Sequence, residues 1–203
     1  MAGVHPSTAG KLSGHAAEYR LAVLFASLGL PFAPKEKAEN PLCRDAQVDG
    51  MSFDLVAPGL DRPRLLVMST VHTANIGQYG QSKTSGDTSK ARRWIDETYD
   101  GKHKPTLLAF ADGIGFRSNR QDLDGVLTHA DEFCQFKTIW KAVVIAARLL
   151  DHPLQIALPV ETMQEFSLFI DRWTARDLVL PSDRLDSTEG WLEAGDGLVT
   201  RKD

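Results

Sequence analysis

The stretch MSFDLVAPGLDRPRLLVMSTV, residues 51–71, decides the fold of this chain. The segments MSFDLVA and RLLVMSTV are rich in apolar and β-branched residues, which favours β-strands. Between them lies PGLDRP, whose glycine, prolines and aspartate are typical of a tight turn. We therefore predict a hairpin. Its second strand is apolar almost throughout, which indicates a central position, buried on both faces of a sheet.

Helical patterns lie on both sides of this hairpin. Ser13 is a suitable N-cap for a first helix that ends near Leu28, because Gly29 and Pro31 follow it. After the hairpin we expect a short helix from Thr88 or Ser89, a strand with the sequence TLLAFA, and further helices. The later helices are predicted by apolar residues at helical spacing, over 123–130, 136–150 and 163–173, with a short strand at 154–158.

This order of elements predicts an α/β fold: a mixed sheet with helices on both faces. We expect one domain over residues 1–203, with a flexible arm at 1–12 and a loosely packed tail at 182–203. No apolar run is long enough to cross a membrane, and the first residues lack a secretory signal, so we expect a cytoplasmic protein. Cys43 and Cys134 have no zinc-site spacing and are expected to be free thiols.

The net charge of −4 and the isoelectric point of about 5.9 disfavour a protein that coats nucleic acid non-specifically. They leave room for a local basic surface. Lys83, Arg92, Arg93 and Arg117 are the candidate cations for contacts with DNA phosphates. The alternative is that this basic segment is an ordinary solvated helix face.

Two carboxylates stand out as candidates for chemistry. Asp54 lies inside the apolar run MSFDLVA, where a charge is costly unless it is paired or bound to a metal. Glu18 shares the inward face of the first helix with Leu21 and Phe25. The simpler alternatives are an Asp54 that accepts backbone hydrogen bonds at a strand end, and a Glu18 that reaches solvent from the edge of the apolar stripe.

The loop HTANIGQYGQSK, residues 72–83, combines a histidine, side-chain amides, hydroxyls and a lysine. Such groups suit contacts with phosphates and base edges, although an ordinary surface loop is the alternative. The motifs of phosphate-binding P-loops, serine hydrolases, zinc peptidases, dinucleotide-binding folds and EF-hands are absent from the sequence. The residues of this loop that we consider for contact with DNA or for catalysis are His72, Asn75, Gln78, Gln81 and Lys83.

Together, FDLVAP, the turn and RLLVMSTVHTANIGQYGQSK resemble the active-site hairpin of type II restriction endonucleases of the PD-(D/E)XK superfamily. The later segment LLAFADGIGFRSNRQDLDGVLTHADEF resembles the strand, loop and helix that follow this hairpin in many of those enzymes. The resemblance covers about residues 13–136. It implies a restriction-endonuclease-like fold. It also implies Mg²⁺ bound by carboxylates, with Asp54 as the motif aspartate and Glu18 as the helix glutamate.

The sequence departs from this family where a Glu-x-Lys pair belongs. The register that we favour places the glutamate at Met68 and the lysine at Thr70, and the other register places them at Ser69 and Val71. Neither register supplies a carboxylate or an amine, and methionine is a poor ligand for a hard cation. Either the protein binds DNA without cutting it, or Glu18 or another acid replaces the motif glutamate while Lys83 or His72 replaces the lysine.

The resemblance implies a sequence-specific endonuclease that hydrolyses double-stranded DNA with Mg²⁺. A palindromic target would imply a homodimer, and a restriction enzyme would act beside a cognate DNA methyltransferase. The alternative is a catalytically inactive DNA-binding or interaction module on the same fold, because Met68 and Thr70 replace the motif pair. A third alternative is an α/β protein that has no connection with DNA.

Overall fold

The computed structural model describes residues 6–72, 83–152, 158–159, 191–194 and 198–201. The α-helices are α1 (Pro6–Ser27), α2 (Lys83–Thr98), α3 (Gly115–Ser118), α4 (Arg120–His129) and α5 (Trp140–Leu149). The strands are β1 (Ala46–Val48), β2 (Met51–Phe53), β3 (Leu55–Ala57), β4 (Leu65–Val71), β5 (Thr106–Asp112), β6 (Glu132–Cys134), β7 (Leu158–Pro159), β8 (Trp191–Ala194) and β9 (Leu198–Arg201). Short 3₁₀ turns cover Lys35–Ala38, Gly101–His103 and Phe136–Thr138.

The main sheet has the strand order β3-β4-β5-β6 and is mixed. Strands β3 and β4 pair antiparallel, which confirms the predicted hairpin, whereas β4–β5 and β5–β6 are parallel. The mixed α/β class predicted from the sequence is confirmed. The predicted strand MSFDLVA is interrupted at Asp54: β2 pairs with β1 in a separate ribbon, and only β3 joins the main sheet.

Helices cover the main sheet on both faces. On one face, Leu66 and Leu107 of the sheet pack with Ala91 and Ile95 of α2 in one buried cluster. Because side chains alternate along a strand, Leu65 and Val67 point to the opposite face, where they are also fully buried and where α1 packs against β4. Burying each such aliphatic side chain stabilises the fold by roughly 1.5–3 kcal/mol.

The helix starts differ from the sequence predictions. Helix α1 begins at Pro6, so residues 6–12, for which the sequence predicted a flexible arm, are helical. Proline at a first helical position is favourable, since its fixed φ suits the helix and its missing N–H has no partner there. Helix α1 ends at Ser27, and Gly29 follows with a positive φ of 68°, as the sequence predicted. Helix α2 starts at Lys83, earlier than the predicted Thr88 or Ser89.

The chain consists of two compact units, Met1–Ala146 and Ala147–Asp203. Within the second unit, β7, β9 and β8 form a three-stranded antiparallel sheet. Strands β8 and β9 lie within residues 182–203, for which the sequence predicted a loosely packed tail, and their aromatic and β-branched residues favour pairing. The predicted helix at 163–173 lies outside the described residues, and the single domain over 1–203 stays a prediction.

Two further expectations concern the cysteines and the membrane. Both Cys43 and Cys134 are free, as predicted, and burial raises the pKa of the Cys134 thiol to about 12. That thiol is therefore unreactive at neutral pH. None of the described helices has the length and apolar character that crossing a bilayer requires.

Candidate functional site

Three carboxylates converge at one edge of the first unit. Glu18 comes from α1, Asp45 precedes β1, and Asp54 lies at the break between β2 and β3. One oxygen of each lies within 4.8 Å of the others. Among the residues that the structure describes, no other group of acidic, histidine or cysteine side chains meets this criterion. We call these three residues the carboxylate cluster.

A buried lysine holds the carboxylate cluster together. Lys37, in the 3₁₀ turn Lys35–Ala38, is fully buried. Its Nζ donates hydrogen bonds of 2.7 Å to Glu18 Oε2 and of 2.7 Å to Asp45 Oδ1, and it lies 3.8 Å from Asp54 Oδ1. His15 Nδ1 is 3.3 Å from the same Glu18 oxygen. The ammonium group therefore occupies a position among the oxygens, as a counter-ion to the buried acids.

The backbone of β4 fixes the side chain of Asp54. The amide of Ser69 donates to Asp54 Oδ2 at 2.5 Å, and the amide of Asp54 donates to the carbonyl of Val67 at 3.0 Å. Because Asp54 lies where the chain leaves the β1–β2 ribbon, its carboxylate reaches across the start of the hairpin. The sequence offered, as an alternative to chemistry, an Asp54 that accepts backbone hydrogen bonds at a strand end, and Asp54 does accept such a bond. It also has charged neighbours.

The pKa values of Asp54 and Lys37 are both raised, for different reasons. Burial, together with the negative charge of Glu18, raises the pKa of Asp54 to about 8, against the opposing effect of Lys37. Burial lowers the pKa of Lys37, but its hydrogen bonds to Asp45 and Glu18 outweigh this and leave the pKa raised above its ordinary value. Near neutral pH, Lys37 is charged and Asp54 largely carries a proton.

Beside the carboxylate cluster lies a cleft of about 600 Å³. Its rim contains the exposed residues Asp45, Ser52 and Lys83, and Asp54 lines the wall. Its interior is formed by buried positions of β5, α2 and α4. These interior residues are Thr84, Thr88, Ala109, Phe110, Ala111 and Val126.

His72 lines the same cleft from the end of β4. Its Nε2 is 3.0 Å from the Thr84 hydroxyl, and its ring packs against Phe116 at a centroid distance of 4.6 Å. Burial lowers the pKa of His72, and Lys83 adds to this effect while Asp122 opposes it. The imidazole is therefore neutral at neutral pH and can donate or accept a hydrogen bond.

The predicted motif positions lie on both faces of β4. Met68 packs against the hydrophobic cluster formed with α2, and Thr70 lines the cleft. By alternation Ser69 points to the other face. Its amide contacts Asp54, and its hydroxyl is buried with no hydrogen-bond partner in the described part of the chain. Ser69 is thus directly hydrogen-bonded to the Asp54 carboxylate. The register that we favoured from the sequence placed the motif glutamate at Met68 instead.

The candidate DNA contacts are dispersed. Arg92 donates to the carbonyl of His129 at 3.0 Å and pairs with Asp131, so it fastens α2 to the end of α4. Arg93 is exposed on α2. Arg117 belongs to α3, and its side chain lies outside the described residues, as do Asn75, Gln78 and Gln81. Among the predicted cations whose side chains the structure describes, Lys83 is the one that lines the cleft.

Sequence reasoning missed Lys37 and Asp45. Lys37 lies in the polar segment KEKAEN, where no periodicity separates it from its exposed neighbours Lys35 and Glu36. Asp45 comes directly before β1, in a polar segment, residues 31–49, that is interrupted by prolines. The one signal in the sequence is indirect: two inward acids, Glu18 and Asp54, require a buried cation or a metal to balance them.

Comparison with protein-family models, with curated proteins and with solved structures finds no match for this chain. The resemblance to PD-(D/E)XK enzymes therefore rests on the residues named above. The donor set suits a hard cation such as Mg²⁺, because all three ligands offer carboxylate oxygens. Lys37 already neutralises part of their charge.

Proposed function

We propose that this chain is a Mg²⁺-dependent nuclease that hydrolyses phosphodiester bonds of double-stranded DNA, on a fold of the restriction-endonuclease type. The observation that carries the proposal is the convergence of Glu18, Asp45 and Asp54 from three separate segments. Two of these acids, Asp45 and Asp54, line one cleft. Acids gathered in this way are costly to fold together, and such a cost is commonly offset by function.

The order of the elements supports the same proposal. Helix α1 carries one acid, the hairpin β3–β4 presents a second at its start, and α2 leads to the parallel strand β5. This is the arrangement that the resemblance of residues 13–136 implies for the active-site region. The third acid, Asp45, stands in for the missing motif glutamate of β4.

In this proposal the carboxylate cluster would hold Mg²⁺. When bound, the ion lowers the pKa of a water molecule and neutralises charge on the scissile phosphate. Asp54 has to release its proton to become a ligand, because its pKa of about 8 keeps it largely protonated in the ion-free cluster at neutral pH. Lys37 is a charged hydrogen-bond donor and not a general base, since its raised pKa keeps its proton bound at neutral pH.

The opposite side of the cleft supplies groups that can orient the substrate. Lys83 is exposed at the rim, where an ammonium can contact a phosphate oxygen. Neutral His72, held by Thr84, can hydrogen-bond to the substrate or accept a proton. Lys83 and His72 thus retain the roles that the sequence proposed for them as partial substitutes for the motif lysine.

The resemblance further implies the form of the activity. A type II restriction enzyme cuts both strands of a specific, usually palindromic, sequence as a homodimer, and its own genome is protected by a methyltransferase. We include this form in the proposal. It predicts discrete fragments from a phage genome, whereas a non-specific nuclease would give a smear.

Asp54→Ala tests the proposal on phage-genome DNA with Mg²⁺. We expect cleavage to fall roughly 100-fold or more, because the central metal ligand is lost, while duplex binding in a gel-shift assay with Ca²⁺ is largely kept. The matched control is Asp61→Ala, which removes an exposed carboxylate from the turn between β3 and β4. Full cleavage activity in Asp54→Ala would refute the assignment.

One observation favours a second candidate function, a non-catalytic DNA-binding or interaction module. The ammonium of Lys37 already lies among the carboxylate oxygens, so the cluster has an internal counter-ion. A protein of this kind should shift a DNA duplex in a gel but leave it intact with either Mg²⁺ or Mn²⁺. Its unfolding temperature should also be insensitive to these ions.

A further inference from the structure

The hollow of the cleft is created by two small residues on one face of a central strand. Ala109 and Ala111 are two positions apart on β5, and their parallel neighbours on β4 are Met68 and Thr70. Other residues of β5, such as Leu107 and Phe110, fill their surroundings with large side chains. Val126 of α4 also lines the space over these alanines.

The chemistry of this hollow is neutral. Its apolar surface comes from the alanines, Val126 and Met68, and its polar groups are hydroxyls of threonines together with the neutral imidazole of His72. Of the charged side chains that line the cleft, Lys83 and Asp45 are exposed, whereas Asp54 and Asp87 are partly buried. A ligand that fits should therefore combine a flat, uncharged, hydrogen-bonding part with a charged part near the carboxylate cluster.

The size of the cleft limits what can enter. A volume of about 600 Å³ lies within the range of roughly 300–1,000 Å³ that pockets for small organic ligands occupy. A base-paired duplex is far too large. A single nucleotide is small enough for this volume. Its flat, neutral base suits the neutral hollow, and its charged phosphate suits the charged side of the cleft.

We infer that this cleft binds one nucleotide held outside the double helix, with its base over Ala109 and Ala111 and its phosphate towards Lys83 and towards the divalent cation that the carboxylate cluster would hold. The inference rests on the proposed function for the identity of the polymer and deepens it by naming the unit that is recognised. Extruding a paired base costs a few kcal/mol, and this cost is least for unpaired or terminal nucleotides. The protein should therefore prefer such nucleotides.

The test measures binding, with Ca²⁺ replacing Mg²⁺ so that no hydrolysis is needed. Fluorescence anisotropy is recorded for the full chain with three labelled DNAs of matched sequence. One is a duplex closed by hairpins at both ends, the second is the same closed duplex with one unpaired nucleotide, and the third is a short single strand. Competition with thymidine monophosphate gives a further measurement on the unmodified protein.

We expect the closed duplex with the unpaired nucleotide to bind about tenfold more tightly, or more, than the fully paired one. Ala111→Ile, which fills the hollow, should abolish this preference. Ala109→Val serves as a milder second variant if Ala111→Ile does not fold. The matched control is Ala130→Ile, because Ala130 is half-buried in extended backbone and does not line the cleft.

Several outcomes are decisive. Equal binding of paired and unpaired DNAs by the unmodified protein would overturn the inference, as would a preference that survives in a folded cavity-filling variant. If the single strand binds tightly but the internal unpaired nucleotide gives no preference over the paired duplex, the inference of an extruded nucleotide is overturned and the ligand is a strand terminus. Selective nucleotide binding without any cleavage would leave this site in place and refute the proposed nuclease activity instead.

Discussion

Replacing Lys37 by methionine tests the charge balance of the carboxylate cluster most directly. Methionine has a similar length and no charge, so Lys37→Met keeps the buried volume while it removes the hydrogen bonds to Glu18 and Asp45. Glu18 is then left buried near two other acids, with His15 as its remaining side-chain hydrogen-bond partner among the described residues, and Asp54 loses the ammonium group 3.8 Å away. The variant should be less stable than the natural protein.

The size of the effect follows from the geometry. Breaking a buried ion pair by removing one partner typically costs about 3–5 kcal/mol. Asp45 is exposed and Asp54 is 3.8 Å from Nζ, so Glu18 bears most of the cost and a value near the lower end, about 3 kcal/mol, is expected. For a domain of this size, each kcal/mol shifts the unfolding temperature by roughly 2–4 °C, so the expected drop is about 6–12 °C.

Thermal unfolding in EDTA measures this drop, and Lys35→Met is the control, because Lys35 is exposed on the same 3₁₀ turn. Unfolding is then repeated with Mg²⁺. An ion that binds only the folded state, at about 100 times its dissociation constant, adds about 2.7 kcal/mol, which nearly restores the variant. The natural protein should gain less, because its ammonium group already occupies a position among the oxygens.

Two results would refute this reasoning. If Lys37→Met is as stable as Lys35→Met, the ion pairs around Lys37 contribute nothing to the fold. If Lys37→Met is destabilised but Mg²⁺ and Ca²⁺ do not rescue it, the cluster is a structural ion-pair network and not a metal site. The second result would favour the non-catalytic module.

Two further predictions concern the pH dependence of stability and the contact between Gly113, which follows β5, and His72, which follows β4. The raised pKa of Asp54 means that the folded state holds its proton more tightly than the unfolded chain, so the stability from this group is present below about pH 4 and is lost as pH rises towards 8. Urea unfolding in EDTA should therefore show the natural protein losing about 1–3 kcal/mol between pH 5 and pH 9 relative to Asp54→Asn, and equal pH profiles would contradict the raised pKa. Gly113→Ala should destabilise the fold by about 2 kcal/mol or more in the same assay, because φ is 113° and an added Cβ would lie 2.2 Å from the carbonyl oxygen of His72. Gly50→Ala has a positive φ but open space around it, so a similar loss in both variants would show that backbone strain, and not the contact with His72, is the cause.

Much of the main sheet could be predicted from local sequence. The apolar run RLLVMSTV indicated a central strand, and β4 does lie between β3 and β5 with its first residues fully buried. The glycine after the first helix correctly marked its end. The break at Asp54 could not be predicted, because MSFDLVA has strand propensity throughout and only the pairing partner changes, from β1 to β4.

The candidate site was harder to predict than the sheet. Glu18 and Asp54 were found because an acid in an apolar pattern is conspicuous. Lys37 and Asp45 lie in segments with no periodicity, and tertiary packing alone decides that Lys37 is buried while Lys35 is exposed. The interruption at Asp54 also hides which residue of β4 lies next to the acids. Because Asp54 is outside the regular strand, the alternation of side chains does not predict that its carboxylate contacts the amide of Ser69.

The balance of charge explains how such a cluster can fold before any ion arrives. With Asp54 protonated, the buried ammonium of Lys37 faces the carboxylates of Glu18 and Asp45, and the more exposed Asp45 is partly stabilised by water. A cation can enter at low cost only if the proton of Asp54 leaves, so the proton and the ion compete for the same oxygens. In the proposed nuclease this exchange provides the third ligand, whereas in a non-catalytic module the proton stays. The function of the cluster therefore depends on whether a divalent cation can replace one proton on Asp54 while Lys37 keeps its hydrogen bonds to Glu18 and Asp45.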